Sequence, residues 1–397
     1  MTEGLAAASR LGYVLVTPAG PEDGGDFGPH TPQTRTAGIQ EAVDAACASD
    51  LNLFISGVQG AGRFVYHSQE TIHIPPRQGF RIDGGQYVLS FEGTSGDALW
   101  IDSCMDCWYR FGLITSPVDG AVVRLAPRAP VPIDGMTILT DSVFEFSSLV
   151  GGGRFDLQLK RVVRPPRGSG ILLDATLGSI VYNRIFAVAV LLCETGVAFE
   201  SGVGSVAHNS IHVLHNHQNA VGLRMGTAKT RPGAVAFNRL DLSLDAEDVP
   251  DAVGAVVAGR GNVLTLDSSR MAPGRDVVLT AGARDNLIHA LSAPAGLTRL
   301  SPPASNRILA PAPAGFAVAT PTLPPSGANA TNEHHVPVEV LILSSGDASA
   351  WTLSDAAGTA QRVQAAPRVG ERFLLEPGAG LSFEFTSPPA WRWRALP

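Results

Sequence analysis

Lysine is almost absent from this sequence. Among 397 residues it occurs only as Lys160 and Lys229, so arginine carries nearly all of the positive charge. The formal net charge is −7 at pH 7. Binding to nucleic acid depends on an excess of positive charge facing the phosphates. The composition therefore predicts that nucleic acid is not a partner.

Long apolar runs are lacking as well. No stretch reaches the length needed to cross a bilayer, which predicts that the membrane is not a partner. The opening residues, MTEGLAAASRLGYVLVTPAG, contain no basic region followed by an apolar one, so they do not resemble an ordinary signal peptide. These features favour a cytoplasmic location, an unusual export route, or a chain already trimmed to its mature form.

Cysteine is scarce, and its positions do not form a disulfide scaffold: Cys47, Cys104, Cys107 and Cys193. Cys104 and Cys107 make a CxxC that stands alone, whereas zinc needs two further ligands at a suitable spacing. Four histidines occur within ten residues, but strand alternation separates them: His208, His212, His215 and His217. We therefore predict neither a metal site nor a cofactor.

Asparagine, in contrast, recurs in one local setting. Six copies follow each other at intervals of 26, 29, 24, 24 and 20 residues: Asn183, Asn209, Asn238, Asn262, Asn286 and Asn306. Each is followed by Ile or Leu two positions later and by another apolar residue four positions later. A repeat of this length predicts a solenoid, and the alternation within it predicts strands.

The physical reason for such a repeat is burial. A short strand with one apolar face gains a continuous core only by stacking on its neighbours, about 4.8 Å away. An Asn at the same turn of every coil can bond to the Asn above and below it. Asn also tolerates the left-handed backbone geometry of a turn. We therefore predict an internal ladder of amides.

With this repeat, the chain resembles a right-handed parallel β-helix of the pectate-lyase-like superfamily. The resemblance covers roughly residues 35–310 and implies coils of three strands, with the Asn between the second and third. It predicts an all-β chain, a right-handed single-stranded parallel β-helix with an N-terminal cap helix and a small C-terminal antiparallel β module.

The rest of the chain divides by composition. We predict an irregular N-terminal arm over 1–34, a cap helix over 36–48, the β-helix over 35–310, a linker over 311–334 and the β module over 335–397. The Gly-flanked basic segment 151–170 reads either as a flap over a groove or as a solvated loop. Trp391 and Trp393 share a face of the last strand, which favours a core or subunit interface over sugar stacking.

Two carboxylates occupy matching places on the predicted first strand. Asp174 ends GILLD and Glu200 ends GVAFE, one coil length apart. Arg224, at the end of AVGLR, and Arg124, at the end of GAVVR, align with the same column, and we predict that both bind the substrate. Carboxylates about 5 Å apart are the acid and nucleophile of retaining glycosidases. The alternative is a charged ladder that keeps the sheet soluble.

A second group lies in the connections that lead into the first strand. Glu194 is a substitute catalytic carboxylate, and the other members are predicted to position sugar hydroxyls: His215, Asn216, His217 and Asp245. Carboxylate, imidazole and amide groups on neighbouring loops provide proton transfer and hydroxyl recognition.

These patterns favour a carbohydrate-active enzyme that hydrolyses or transfers glycosyl units. The plan is similar to that of inulin fructotransferases, which implies a carbohydrate substrate and a homotrimer. Two alternatives remain open. One is a polysaccharide lyase that uses an arginine as base, and the other is a non-catalytic, phage-tail-like or adhesive β-helix.

Overall fold

The computed structural model describes residues 12–59, 62–132, 134–227, 230–231, 233–293, 296–301, 305–309, 318–334 and 337–395. Strands are numbered β1 to β38 along these residues. Three parallel sheets build a β-helix, which confirms the predicted architecture. Each regular coil passes in turn through sheet 1, sheet 2 and sheet 3.

Sheet 1 contains nine of the described strands: β5 (Ile72–Ile74), β9 (Leu99–Ile101), β12 (Ala121–Leu125), β17 (Ser169–Ala175), β20 (Thr195–Ser201), β23 (Val221–Met225), β26 (Val253–Val257), β28 (Val277–Leu279) and β30 (Leu297–Arg299). Sheet 2 contains six short ones: β6 (Arg77–Gln78), β10 (Cys104–Met105), β13 (Ile138–Thr140), β18 (Ser179–Val181), β21 (Val206–Ala207) and β24 (Val235–Ala236).

Sheet 3 is the largest, with fourteen described strands: β1 (Tyr13–Val16), β2 (Asn52–Ile55), β3 (Val58–Gln59), β4 (Gly62–Ser68), β7 (Arg81–Gly84), β8 (Tyr87–Phe91), β11 (Trp108–Thr115), β14 (Val143–Val150), β19 (Arg184–Leu191), β22 (Ser210–His217), β25 (Arg239–Asp245), β27 (Val263–Ser269), β29 (Asn286–Ser292) and β31 (Asn306–Leu309). Apolar side chains from all three sheets meet in one core inside the coils.

The predicted amide ladder is present between sheets 2 and 3. Nδ2 of Asn209, for example, donates to Oδ1 of Asn238 at 3.0 Å and to the carbonyl of Ile180 at 2.9 Å. The same links join all six asparagines, and each is buried. The ladder continues towards the N-terminus, because Ser142 and Cys107 take the same place in earlier coils.

One detail of the ladder turn differs from the prediction. The left-handed conformation falls on the residue before each Asn from Asn183 to Asn286, as at Tyr182 (φ 60°), His208 (φ 58°) and Phe237 (φ 56°). The asparagine therefore contributes its amide to the turn and does not supply the unusual backbone angle.

The N-terminal cap helix is confirmed as α1 (Ile39–Ser49), which packs against β1, β2 and β5. Its buried residues are Ile39, Ala42, Val43 and Ala46. The prediction of an irregular arm before this helix is only partly correct. The arm contains a 3-10 turn (Gly20–Asp23) and β1, which pairs in parallel with β2 and so begins sheet 3 before the cap. Residues 1–11 of the predicted arm lie outside the described residues.

The basic segment forms a hairpin of β15 (Arg154–Asp156) and β16 (Arg161–Arg164). It extends from the connection between sheets 3 and 1. Val162 packs against a small apolar cluster on the connection three coils further along: Ala246, Val249 and Ala252. Leu157, at the tip, is 83% exposed. The hairpin is thus a wall along one edge of sheet 1.

The C-terminal module consists of two antiparallel sheets. One holds β32 (Ala330–Thr331), β37 (Gly380–Glu384), β34 (Ala350–Ser354) and β35 (Ala360–Val363), and the other holds β36 (Arg372–Leu375), β33 (Val338–Ser344) and β38 (Ala390–Ala395). Trp391 and Trp393 are buried in its core. Val318 and Ala330 join that core, so the predicted linker belongs partly to the module, while residues 310–317 lie outside the described residues.

Candidate functional site

The outer face of sheet 1 carries the candidate site. Register places one outward residue per coil in a single column: His73, Trp100, Arg124, Leu172, Ala198, Arg224 and Val256. A second outward column lies two residues further along each strand and contains the predicted carboxylates. The first column is aromatic and charged in the early coils and aliphatic in the middle coils.

Asp174 and Glu200 are direct neighbours in register on β17 and β20. Adjacent parallel strands lie about 4.8 Å apart, so the two residues stand side by side at the end of sheet 1.

Arg224 does not join the carboxylate column, which corrects the predicted alignment. It pairs with Ala198, two residues before Glu200, and Arg124 pairs with Leu172, two residues before Asp174. The position that follows Met225 and matches Glu200 is glycine.

The residues that match in this register are glycines near the start of the strands and not the charged residues at their ends. A Cβ on Gly196 would lie 2.3 Å from Oδ1 of Asn216, so only glycine fits there. Gly170 and Gly222 occupy the same position in the neighbouring coils. These glycines were the signal that would have aligned Arg224 correctly.

Asp174 is held in place by donors on both oxygens. Nη1 of Arg124 donates to Oδ2 at 2.7 Å, and the backbone N–H and the hydroxyl of Thr176 donate to Oδ1. Arg128 lies 4.0 Å from Oδ2. The residue is only 6% exposed, because these partners cover it.

Arg124 links two carboxylates and is itself fixed. Its Nε donates to Asp97 at 2.6 Å while its Nη1 reaches Asp174. Burial alone would lower the pKa of this guanidinium, but Asp97 and Asp174 raise it. Arg124 is therefore a structural clamp on Asp174, with its donors already engaged, and is less available for direct contact with a substrate.

Glu200 differs from its neighbour. It is half-exposed, and its carboxylate has no hydrogen bond or ion pair among the described residues. The pair thus combines one fixed carboxylate with one free carboxylate. Free and fixed groups side by side are suited to different tasks in one reaction.

Sequence reasoning missed a cluster that begins three coils before Asp174, the neighbour of Glu200. His73 stacks on Trp100 with ring centroids 4.1 Å apart, and the guanidinium of Arg128 lies 4.7 Å from the Trp100 ring on the outer face. His73 also stands 3.7 Å from the buried carboxylate of Asp102. His73, Trp100 and Arg128 sit on three different coils, so no local motif could reveal the cluster.

Asp102 anchors this cluster from below. Its Oδ1 accepts the backbone N–H groups of Arg128 at 2.6 Å, Ala129 at 3.1 Å and Ser103 at 2.7 Å. Burial alone would raise the pKa of Asp102, but His73 and these backbone donors lower it.

The predicted rim residues lie at the opposite edge of sheet 1, where its strands begin. Glu194 is exposed and immediately precedes β20, whereas Glu200 is near the end of the strand. Six residues of strand span roughly 20 Å. The structure therefore does not bring Glu194 and Glu200 into one site.

Asn216 is the clearest departure among the rim residues. A break in the alternation of β22 after Leu214 sends His215 and His217 outward and Asn216 into the coil, where it is buried. Its Nδ2 donates to the carbonyl of Gly222 at 3.0 Å, and its Oδ1 accepts from Asn219. It stabilises the interior and cannot reach a sugar hydroxyl on the surface.

The remaining rim residues form an ion-pair network. Arg270 donates to Asp245 through Nε at 2.8 Å and lies 2.9 Å from Glu247. The rings of His215 and His217 meet edge to face with centroids 5.5 Å apart. Burial lowers the pKa of His217, although neighbouring Asp245 opposes the shift.

A depression of about 410 Å³ lies beyond Glu200, in the direction of the later coils. It begins at Gly226 and is lined mainly by glycines and threonines, with Arg231 as the charged residue among the described lining. Within the described residues, no three His, Cys, Asp or Glu side chains converge in a way that would hold a metal ion.

No protein-family model matches the chain, and no curated protein matches it. Among the described residues, no helix is long and apolar enough to cross a membrane.

Proposed function

We propose that the protein is a carbohydrate-active enzyme of the pectate-lyase-like superfamily that cleaves or transfers glycosyl units at the Asp174–Glu200 pair. The observation that carries the proposal is the register of this pair. Two carboxylates stand on adjacent coils of sheet 1, one held by Arg124 and Thr176 and the other free.

The two carboxylates suit different steps of the reaction. Glu200 is free to give a proton to the oxygen of the leaving sugar and to take one from the attacking water or hydroxyl. Asp174, fixed by its donors, faces the carbon on which positive charge develops, as nucleophile or as stabilising charge. A separation near 5 Å favours retention of configuration at that carbon.

The glycan would lie along sheet 1, across the coils. Trp100 and Arg128 offer aromatic and hydrogen-bonding surface on the early coils, and Arg224 lies one coil beyond Glu200. The depression at Gly226 continues in the same direction. His215, His217 and Asp245 would contact only a substrate that extends to the opposite edge. In this proposal the protein acts as a homotrimer and uses no cofactor.

A polysaccharide lyase is the second candidate, and Arg224 is the residue that favours it. Its half-exposed guanidinium lies in the groove without a hydrogen bond or ion pair among the described residues. Arg124 is a poor base, because Asp97 and Asp174 raise its pKa.

A glycan panel analysed by mass spectrometry tests these proposals. Products that gain water indicate hydrolysis, products that lose water by internal cyclisation indicate transfer, and ultraviolet absorbance of an unsaturated uronate indicates elimination. An inert chain that still binds a glycan would favour the adhesive alternative.

Variants then locate the chemistry. Asp174→Asn and Glu200→Gln should each lower turnover by roughly 10²–10⁴, the usual contribution of a positioned acid or base. Glu194→Gln, at the far end of the same strand, should keep near-normal turnover. Normal turnover in the first two and a loss in the third would move the site to the rim.

A further inference from the structure

A cavity of about 470 Å³ lies in the C-terminal module, and the proposed glycan groove on sheet 1 does not use it. It is enclosed by the two arms of the segment 318–334, which enters the module and returns along β32. Pro321 and Pro324 belong to the outgoing arm, and Glu333 and His334 belong to the returning arm. The volume falls within the range of about 300–1000 Å³ that is usual for small-molecule sites.

Hydrogen bonds fix both arms of this segment to the module. On the outgoing arm, the carbonyl of Pro321 accepts from Nε1 of Trp391 at 3.1 Å. On the returning arm, Nδ2 of Asn332 donates to the carbonyl of Leu375 at 2.8 Å. A cavity whose walls are already in place costs little ordering when a ligand binds.

Trp393 lies at the floor of the cavity. It is 3% exposed, and its backbone N–H donates to Oγ1 of Thr320 at 3.0 Å. Its indole Nε1 is buried and has no hydrogen-bond partner among the described residues, unlike Nε1 of Trp391. Native folds seldom leave a buried donor unpaired. The floor therefore combines an apolar ring with an unused donor.

The polar walls of the cavity can both donate and accept hydrogen bonds. The carboxylate of Glu333 is exposed and has no hydrogen bond or ion pair among the described residues. Burial lowers the pKa of His334, although Glu333 opposes the shift, so the ring is neutral at pH 7 and offers one donor and one acceptor. Thr322 and Thr331 add hydroxyl groups. The described walls therefore offer mixed hydrogen bonding and no positive charge for an anion.

We propose that this cavity is a second carbohydrate site, which binds a neutral sugar unit of a glycan. Sugar hydroxyls donate and accept, so they match the carboxylate of Glu333 and the hydroxyls of Thr322 and Thr331. The C–H groups of the sugar ring match the prolines and the ring of Trp393. An anionic sugar would meet the like charge of Glu333. The site does not depend on the chemistry of sheet 1, but it would hold a long glycan near the groove and so raise its effective concentration there.

Isothermal titration calorimetry on the full-length chain tests the proposal. Maltotetraose, cellotetraose and nystose are the neutral probes, tetragalacturonate is the anionic probe, and a chitosan tetrasaccharide is the cationic probe. We expect at least one neutral probe to bind and to slow hydrogen–deuterium exchange in peptides from 319–334, whereas tetragalacturonate should leave these peptides unprotected. The proposal is overturned if no neutral probe binds, if protection is confined to the strands of sheet 1, or if only the cationic probe protects 319–334.

Variants separate ligand contact from folding, which circular dichroism checks in each case. Glu333→Ala should weaken binding at this site roughly ten- to a hundredfold, the usual effect of losing a hydrogen bond to a charged group. Ala319→Trp removes no hydrogen-bonding side chain and should abolish binding by filling the cavity. Glu376→Ala, at an exposed glutamate of the same module outside this cavity, should bind like the wild type. Unchanged affinity in the first two variants would also refute the site.

Discussion

At the scale of single residues, the ladder asparagines do most to define the coils. Each supplies two side-chain donors and one acceptor to groups on neighbouring coils that would otherwise be buried without partners. A buried polar group without a partner costs about 1–3 kcal/mol. The repeat is therefore maintained by hydrogen bonding as well as by the apolar core.

Replacement of Asn238 by Leu tests this account. It removes the acceptor for the backbone N–H of Asn209 and the donor to Asn262, so we expect the free energy of unfolding to fall by roughly 1–3 kcal/mol. Denaturant titration provides the measurement. Arg239→Leu, at the next residue but on the exposed face, is the control and should change stability little. Equal stability of the two variants would refute the ladder's role.

His217 provides a pH-dependent contribution to stability. Burial lowers its pKa below the ordinary 6.5, so the folded chain binds the proton less readily than the unfolded chain. The stabilisation is therefore fully present above pH 6.5 and is lost as pH falls through the pKa of the folded state.

The corresponding experiment compares the wild type with His217→Gln by denaturant unfolding at pH 8 and pH 5. We expect the stability of the wild type relative to the variant to decline at the lower pH. An NMR titration of the His217 ring should show a midpoint below 6.5. A midpoint above that value would contradict the prediction.

At the scale of elements, the hairpin of β15 and β16 is held to the β-helix by a small contact. Val162 packs against the cluster of Ala246, Val249 and Ala252, whereas Val163 points into solvent. Few buried apolar contacts mean that such an element can open locally without global unfolding.

A pair of serine substitutions tests the docking of the hairpin. Val162→Ser should remove about 1 kcal/mol of apolar burial and so increase the open population roughly fivefold. Limited trypsin digestion at Lys160 and Arg161 should accelerate by a similar factor. Val163→Ser, the adjacent exposed residue, should digest like the wild type. Equal acceleration in both would show that Val162 does not hold the hairpin.

The sequence predicted the coils well because every repeat carries the same physical signal. A buried amide followed by alternating aliphatic residues fixes a turn and the strand after it, with no reference to distant residues. The cap helix followed in the same way from its apolar face. These features depend on neighbours in sequence, so a single chain is enough to reveal them.

The site was less predictable, since it depends on which residues face each other across coils. Arg224 was aligned by the charged end of its strand, whereas Gly196 and Gly222 are the residues that match in the actual register. Asn216 was predicted at the surface, but an irregularity between Val213 and Asn216 breaks the alternation of β22 and directs Asn216 inward. The cluster of His73, Trp100 and Arg128 joins three coils of unequal length, and no spacing rule predicts it.

At the scale of the whole molecule, the two ends and the three faces of the β-helix differ. Helix α1 covers the first coils, and the hairpin borders sheet 1 on one edge. Sheet 3 instead presents exposed apolar side chains on its outer face, including Phe186, Val188 and Leu214. An exposed apolar face of this kind is a feature of surfaces that meet another protein.

The proposed homotrimer would bury this face of sheet 3. Multi-angle light scattering should then give a mass near three times the 41.4 kDa of one chain. Val188→Arg combined with Leu214→Arg should yield single chains, because charge introduced at an apolar contact opposes its desolvation. Leu177→Arg, at an exposed leucine in the connection after β17, should remain trimeric. A wild-type mass of one chain would reject the trimer. A trimer that survives the double substitution would place the contact on a different face, and the Asp174–Glu200 groove on sheet 1 would become the next surface to examine.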